Sequence, residues 1–279
     1  MNQSRAGVLI LLLPLAGCGE LHLAFPEPAT PTPTATAGTF DTAQCGAVEG
    51  VVAWTGARPT PTLCVSRIAA NGAQSLELPN PNALPISADG GVAGAVVYLA
   101  GVAPGAAAPR EWPTVRVVAD DQSLRITSGN DTPARVGFVP VGGSASFATA
   151  GDDVLGIRGR GADHFTLMMP RNTSRTFPKV GRIELTSPAN VYWAASELFV
   201  CEHPYYALTD AHGKFRFDRV PAGTYELVCD IPSPEPAGRD RDPENGTVSR
   251  WHAGPRLVRR TPVRIDARGT AAARLEVGR

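Results

Sequence analysis

The stretch YYALTDAHGKFRFDRVPAGTYELVC, residues 205–229, restricts the fold of this chain more than any other segment. Apolar and polar residues alternate in KFRFDRV and in TYELVC, which is the period of a half-buried β-strand. TDAHG places Asp210 and Gly213 in a tight turn, and VPAGTY forms a second turn in which Gly223 takes a positive φ. The stretch therefore predicts alternating strands joined by two short turns.

The rest of the chain continues this pattern of short strands and frequent turns. The sequence has 29 glycines and 26 prolines in 279 residues, and no long stretch carries a helical period of apolar residues. The sequence predicts an all-β fold. Further strands are predicted at 48–54, 92–100, 114–118, 144–149, 164–169, 182–186, 197–201 and 260–266.

The first residues are typical of a targeting segment. Arg5 precedes the apolar run GVLILLLPLAG, which is too short to span a bilayer, so residues 1–17 are predicted to be a signal peptide. LAGC, ending at Cys18, resembles the bacterial lipobox; that likeness implies a diacylated Cys18 thiol and an exported protein of the bacterial cell envelope, anchored to the membrane on its periplasmic or surface face. The alternative is an ordinary secretory signal with an incidental cysteine.

Residues 18–40 are predicted to be a tether between that anchor and the folded body. FPEPATPTPTATAGTF, residues 25–40, is rich in proline and threonine, which favour extended polyproline II and bury little surface. The body is expected to begin near Asp41.

Four further cysteines would lie in an oxidising compartment after export. An even number predicts two disulfides among Cys45, Cys64, Cys201 and Cys229, with three possible connectivities. Pairing by neighbourhood, Cys45–Cys64 and Cys201–Cys229, is the first expectation. The spacings exclude a Cys-x-x-Cys redox or zinc motif.

Residues 206–228 resemble the carboxypeptidase regulatory-like family, whose signature reads T-D-x-x-G-x-F followed by P-x-G-x-Y. GAVEGVVAWTGARP at 46–59 and VAGAVVYLAG at 92–101 are similar to the two opening strands of that family. The resemblance implies a prealbumin-like β-sandwich formed by 41–101 plus 203–279, split by a second domain at 102–202. The alternative is two consecutive domains. In that family the segment accompanies a separate catalytic domain, so the likeness implies no peptidase activity here.

The middle of the chain resembles a group of exported proteins labelled methylamine utilisation proteins. The landmarks are GFVPVGGSASFATAGDD, FTLMMPRNTSRTF and ELFVCEHPYYALTD, and they imply that 102–202 is a cupredoxin-like sandwich. A blue-copper site needs a thiolate, two imidazoles and a weak axial ligand together. Gly156, Pro188, Val191 and Ala194 stand at the positions of those ligands, so we predict no copper and no other cofactor.

A relocated metal site has three candidate ligands, His164, Cys201 and His203. Cys201-Glu-His203 has one intervening residue and no following Met before the next turn, unlike a copper-binding loop. One interpretation gives His203 a structural role, in which its side chain forms a hydrogen bond at the hinge between the domains. Its alternative is a metal or acid–base site with Glu202.

The sequence favours binding over catalysis. It contains none of the His-Glu-x-x-His, Gly-x-Ser-x-Gly or phosphate-binding glycine motifs, and its net charge of zero gives no electrostatic footprint for nucleic acid. We predict a non-catalytic envelope lipoprotein that acts as a binding or scaffold module for an envelope protein or a glycan. The alternative is a periplasmic copper-binding or electron-transfer protein of the cupredoxin type.

Overall fold

A computed structural model describes residues 39–60, 63–66, 76–79, 83–120, 123–150, 156–168, 170–187, 194–241, 243–244 and 248–278. The helical elements among them are two 3-10 turns, Thr42–Gln44 and Pro104–Ala106, and the all-β prediction is confirmed. The described strands, in chain order, are β1 (Cys45–Thr55), β2 (Leu63–Ser66), β3 (Leu76–Pro79), β4 (Val96–Ala100), β5 (Val115–Ala119), β6 (Leu124–Ser128), β7 (Val136–Pro140), β8 (Ser144–Thr149), β9 (Gly156–Gly161), β10 (Phe165–Met168), β11 (Thr173–Thr176), β12 (Gly181–Thr186), β13 (Ala195–Cys201), β14 (Tyr206–Leu208), β15 (Lys214–Pro221), β16 (Gly223–Ile231), β17 (Pro236–Arg241), β18 (Val248–Ala253), β19 (Leu257–Ile265) and β20 (Thr270–Gly278).

The first sandwich consists of two sheets with the strand orders β15–β1–β20 and β14–β4–β16–β19. Strand β1 is antiparallel to β15 and parallel to β20, so it is central to its sheet. Side chains from both sheets bury one apolar core, which excludes water because each strand turns every second residue inward. Core residues include Val48, Val52, Val97, Leu99, Phe215, Phe217, Leu227, Cys229, Ile265 and Leu275.

The second sandwich consists of sheets with the orders β10–β9–β12–β13–β7 and β11–β8–β5–β6. Its core has three aromatic rings, and Phe147 lies edge-on to Phe165 and Phe177 at centroid distances of 5.5 and 6.3 Å. The other core residues include Val115, Val117, Ile126, Ile157, Ile183, Leu185, Leu198 and Val200. Strands β5 to β13 build this sandwich, and the strands of the first sandwich precede and follow them in the chain.

The turn predicted at TDAHG is present in the structure. The Gly213 N–H donates to the Asp210 carbonyl at 3.0 Å, and Asp210 Oδ1 accepts from the backbone N–H groups of His212 and Lys214, each at 2.8 Å. Gly213 has a φ of 75°, and a Cβ there would lie 2.4 Å from the Val52 carbonyl oxygen. Glycine is therefore required by both backbone conformation and space.

The predicted positive φ at Gly223 is wrong. The residue with a left-handed backbone near this turn is Arg219, with a φ of 54°, and the strands that the turn joins, β15 and β16, lie in different sheets. A Cβ on Gly223 would lie 3.0 Å from Tyr225 Oη, whose hydroxyl donates to the Pro221 carbonyl at 2.9 Å. A larger residue here would have to displace the tyrosine ring by a few tenths of an ångström, because the ring packs against the turn.

Several sequence predictions fall on residues outside this description. These are the signal peptide at 1–17, Cys18, the tether as far as residue 38, and the ligand positions Pro188 and Val191. Among the described residues, no helix has the length and apolar character needed to cross a bilayer.

Candidate functional site

The two sandwiches contact each other through the outer face of one sheet each. Val97 of β4 lies in the first core, so its neighbour Val96 faces outward. Val200 of β13 lies in the second core, and Phe199 and Cys201 on either side of it face outward in the same way. The interface cluster formed by these outward residues consists of Val96, Tyr98, Trp112, Val136, Phe138, Phe199, Cys201, Tyr206 and Leu208.

Aromatic rings give this interface cluster its geometry. Tyr98 and Tyr206 stack with ring centroids 5.0 Å apart and planes 9° from parallel. Phe138 of the second sandwich lies 6.1 Å from Tyr206 at a tilted angle, so the stack continues from one sandwich into the other. Such aromatic pairs add about 0.5–1.5 kcal/mol beyond the area they bury.

An ion-pair group crosses the same interface beside the aromatic rings. Arg256, just before β19, contacts both carboxylate oxygens of Glu197 on β13, and its Nε donates to Asp230 Oδ1 at 2.6 Å. Arg182 adds a second guanidinium at 2.9 Å from Glu197 Oε1. Burial opposes ionisation of Glu197, but the charges of Arg256 and Arg182 outweigh it and lower its pKa. The carboxylate is therefore held in its charged form between the sandwiches.

A cleft of about 320 Å³ opens at the border of this interface. It lies between β14, an edge strand of the first sandwich, and β7, an edge strand of the second. Ligand sites commonly have volumes of about 300–1,000 Å³ with mostly apolar walls. The apolar lining comes from Trp112, Ile126, Val136, Phe138, Tyr206 and Leu208.

Four polar side chains also line the cleft. Arg110 lies over the Trp112 ring with its guanidinium carbon 4.9 Å from the centroid, and it donates to the Pro204 carbonyl at 2.9 Å. Asp131 and Thr132 are exposed, and Ser128 is half-buried. The cleft therefore combines an apolar floor with one cation, one anion and two hydroxyl groups.

The backbone of β14 is paired on one side only. Leu99 N–H donates to the Tyr205 carbonyl, and Thr209 N–H donates to the Ala95 carbonyl, so the odd-numbered residues of β14 face β4. Tyr206 and Leu208, the alternate residues, direct their backbone groups away from β4. Tyr206 N–H donates to the Pro204 carbonyl at 3.0 Å, which leaves three outward groups with no hydrogen bond within the described residues. They are the carbonyls of Tyr206 and Leu208 and the Leu208 N–H.

The segment His-Pro-Tyr-Tyr, residues 203–206, leads into β14. His203 is only 3% exposed, and its Nδ1 accepts from the Tyr205 N–H at 3.3 Å. Burial lowers the pKa of His203 to about 4, so the imidazole is neutral at pH 7. Tyr205 Oη accepts from the Ala108 N–H at 3.0 Å and donates to the Arg219 carbonyl at 2.6 Å. These contacts fix the entry of the chain into β14.

The three metal candidates do not form one site in the structure. His164 is exposed in the turn before β10, whereas Cys201 is buried in the interface cluster and its thiol donates to the Phe199 carbonyl at 3.4 Å. The ring of His203 packs 5.1 Å from that of Tyr206. No group of three His, Cys, Asp or Glu side chains with metal-binding geometry occurs in the described part of the chain.

The structure does not contain the predicted Cys201–Cys229 disulfide. Both thiols are free and buried, as is the thiol of Cys45. Cys229 lies opposite Val97 in the β-sheet register and therefore faces the first core, whereas Cys201 packs beside Val96 on the other face of that sheet. The sheet itself separates the two sulfur atoms. The free thiol of Cys45 donates to the Asp41 carbonyl at 3.1 Å, so the predicted Cys45–Cys64 disulfide is not present either. The side chain of Cys64 itself lies outside the described residues.

Sequence reasoning missed most of the residues that line the cleft. Trp112 and Arg110 belong to the segment between the two sandwiches, and Phe138 lies in a strand that no sequence landmark marked as a site. A usable signal is present in ELFVC, residues 197–201. Four consecutive apolar residues in a short strand predict burial on both faces, hence a second layer over that sheet.

The fold and the site define an all-β protein of two sandwiches with a lined cleft at their junction. No protein-family model and no curated protein matches the sequence. The likeness to carboxypeptidase regulatory-like domains and to cupredoxins therefore stays a prediction from motifs.

Proposed function

We propose that the protein is a non-catalytic binding module of the bacterial cell envelope and that the cleft at the sandwich junction is its binding site. The observation that supports the proposal is the composition of that cleft. Aromatic walls supply contact area, and a few polar groups at the edge orient a ligand. The site is preformed, because Arg256 and the interface cluster hold its two walls together.

The chemistry of the cleft favours binding over a reaction. Its described lining has one carboxylate, Asp131, and one guanidinium, Arg110, which already donates to a backbone carbonyl. These two charged groups can hold a polar ligand in one orientation.

Binding at the cleft is tested with a steric plug. Thr132 is exposed and lines the cleft, so Thr132→Trp fills it with little risk to folding. Thr166→Trp makes the same change at an exposed position of β10, outside the cleft lining. Both variants and the unmodified full-length protein would be applied to an array that carries short peptides and envelope glycans.

We expect some of the peptides or glycans on the array to bind the unmodified protein and the Thr166→Trp variant but not the Thr132→Trp variant. Equal binding by all three proteins would show that ligands attach elsewhere. A protein that binds no feature of the array would also refute a recognition role for the cleft.

We further propose that Cys18 carries a lipid anchor that places this module at a membrane surface. The proposal rests on the LAGC sequence that ends at Cys18. In bacteria fed an alkyne-labelled fatty acid, the protein should acquire the label, and Cys18→Ser should lose it. Cys64→Ser, which removes a different thiol, should keep the label. Labelling of the Cys18→Ser protein would overturn the anchor.

A further inference from the structure

We infer that the cleft takes an extended peptide, which adds as a strand to the open edge of β14. This inference rests on the proposed binding role of the cleft and names the class of ligand. The ligand is a segment of another polypeptide, recognised through its backbone by β14 and through alternate side chains by the apolar floor.

The backbone of β14 supplies the first part of the argument. The carbonyls of Tyr206 and Leu208 and the Leu208 N–H point away from β4 and have no partner within the described residues. Edge strands with such unpaired groups are templates for another strand. An added strand in either direction would give these three groups their hydrogen bonds.

The position of these groups supplies the second part. Tyr206, Ala207 and Leu208 line the cleft themselves, so the open edge is a wall of the cavity. An added strand would therefore enter the cleft on pairing with β14. Three strand residues span about 10 Å, which is the scale of a short peptide segment.

The floor of the cleft supplies the third part. Tyr206 and Leu208 turn their side chains to the interface cluster, where Val136 and Phe138 of β7 also lie. Directly opposite residues of paired strands share one face of the sheet, so the peptide residues opposite Tyr206 and Leu208 would contact this apolar surface. The matching peptide has apolar residues at alternate positions.

The charges at the cleft agree with a peptide ligand of low net charge. Arg110 and Asp131 both line it, so the lining has one charge of each sign. A polyanion would meet the Asp131 carboxylate and a polycation the Arg110 guanidinium. A neutral peptide backbone, which offers donors and acceptors in equal number, fits both the charges and the open groups of β14.

The experiment begins with a phage library of random short peptides selected on the full-length protein. Selected peptides would be measured against the unmodified protein and the Thr132→Trp and Thr166→Trp variants. Each peptide would then be made with a single N-methyl group at successive residues. N-methylation removes one backbone donor without changing the side chain, so it reports on strand pairing and not on the floor.

We expect peptides with alternate apolar residues whose affinity falls about tenfold or more with N-methylation at every second residue and little at the residues between. The phase of the alternation gives the strand direction. In an antiparallel complex the apolar residues carry the sensitive amides, and in a parallel complex the intervening residues do.

Two results would overturn the inference. In the first, peptides fail to bind the Thr132→Trp variant, but their affinity for the unmodified protein does not alternate with the position of the N-methyl group. Such peptides would be bound through their side chains alone and would not pair with β14. Glycans that bind the Thr166→Trp protein but not the Thr132→Trp protein, with no peptide selected, would leave the proposed binding role intact and refute the peptide. Loss of the binding role itself would show as no ligand that distinguishes these two variants.

Discussion

Arg256 and Glu197 form a two-point ion pair that joins the two sandwiches. The second guanidinium nitrogen of Arg256 lies 3.0 Å from Glu197 Oε2, and its other terminal nitrogen contacts Oε1. The side chains are 20% and 11% exposed, so the pair is largely removed from water. Asp230 shares the same guanidinium, which places two carboxylates of different sandwiches on one cation.

Replacing this arginine should destabilise the protein. Arg256→Met removes the two-point partner of Glu197, which keeps the nearby charges of Arg182 and Arg135, and it leaves Asp230 without its guanidinium partner. Breaking a buried pair costs about 3 kcal/mol or more. We expect a lower free energy of unfolding in urea. The matched control is Arg216→Met, because Arg216 pairs with Glu49 and Asp218 on an exposed surface. A loss at Arg256 no larger than that at Arg216 would contradict a supporting role for the interfacial pair.

The buried His203 should make stability depend on pH. Its folded pKa of about 4 lies below the usual 6.5, so the unfolded chain takes up a proton first as the pH falls. The stability contributed by the neutral ring is present above pH 6.5 and is lost progressively down to pH 4, by roughly 3 kcal/mol. Urea unfolding at a series of pH values measures this loss.

His203→Asn is the comparison for that pH series, because the amide oxygen can still accept from the Tyr205 N–H. The variant should lose less stability than the unmodified protein between pH 6.5 and pH 4. Glu197 has a lowered pKa, so the stability that it contributes is also lost in acid solution. Because both proteins contain Glu197, its effect cancels when the two pH series are compared. Parallel curves for the two proteins would show that His203 does not titrate as its burial implies.

The thiols of Cys201 and Cys229 should be free and protected. Burial raises the pKa of Cys229 to about 12 and raises that of Cys201 as well, so neither is a reactive thiolate at pH 7. In the native protein we expect no alkylation of either residue. In denaturant without reductant both should be alkylated, as read by mass spectrometry of peptides. A requirement for reductant would show that they are oxidised.

The Cys201 thiol should not serve as a copper ligand. The Cys201 thiol is buried among apolar side chains and donates to the Phe199 carbonyl, and the described residues around it provide no cluster of metal-binding side chains. Loading the full-length protein with Cu(II) should give no thiolate-to-copper absorption band. A band that disappears in Cys201→Ala or His203→Asn would restore the electron-transfer alternative.

Local sequence was sufficient to predict β15, β16 and one of their turns, whereas β6, β7, β9 and β20 lie outside every predicted range. The alternation in KFRFDRV and TYELVC matches β15 and β16, and Asp210 and Gly213 close the turn that their residue types favour. The backbone conformation predicted for Gly223 was wrong because its surroundings are set by a side chain. The ring of Tyr225 lies 3.0–3.3 Å from the position of a Cβ, and nothing in a four-residue turn pattern encodes that contact.

The candidate site was harder to predict because it depends on contacts between distant segments. Arg256 contacts a carboxylate 59 residues earlier in the chain, and the cleft is lined by both Trp112 and Tyr206, which lie far apart in sequence. Pairing the cysteines by their proximity in sequence also gave a wrong prediction, the Cys201–Cys229 disulfide. That rule takes no account of which face of a sheet each side chain occupies.

The pairing of β1 with β20 sets an order of assembly. A chain synthesised or exported from its N-terminus presents β1 early, yet one of its two neighbours in the sheet is Thr270–Gly278, more than two hundred residues later. Strands β5 to β13 already contain all the partners of the second sandwich. The second sandwich can therefore fold before the first sandwich is complete. The sheet of the first sandwich is completed only when β20, the last strand in the chain, pairs with β1, the first.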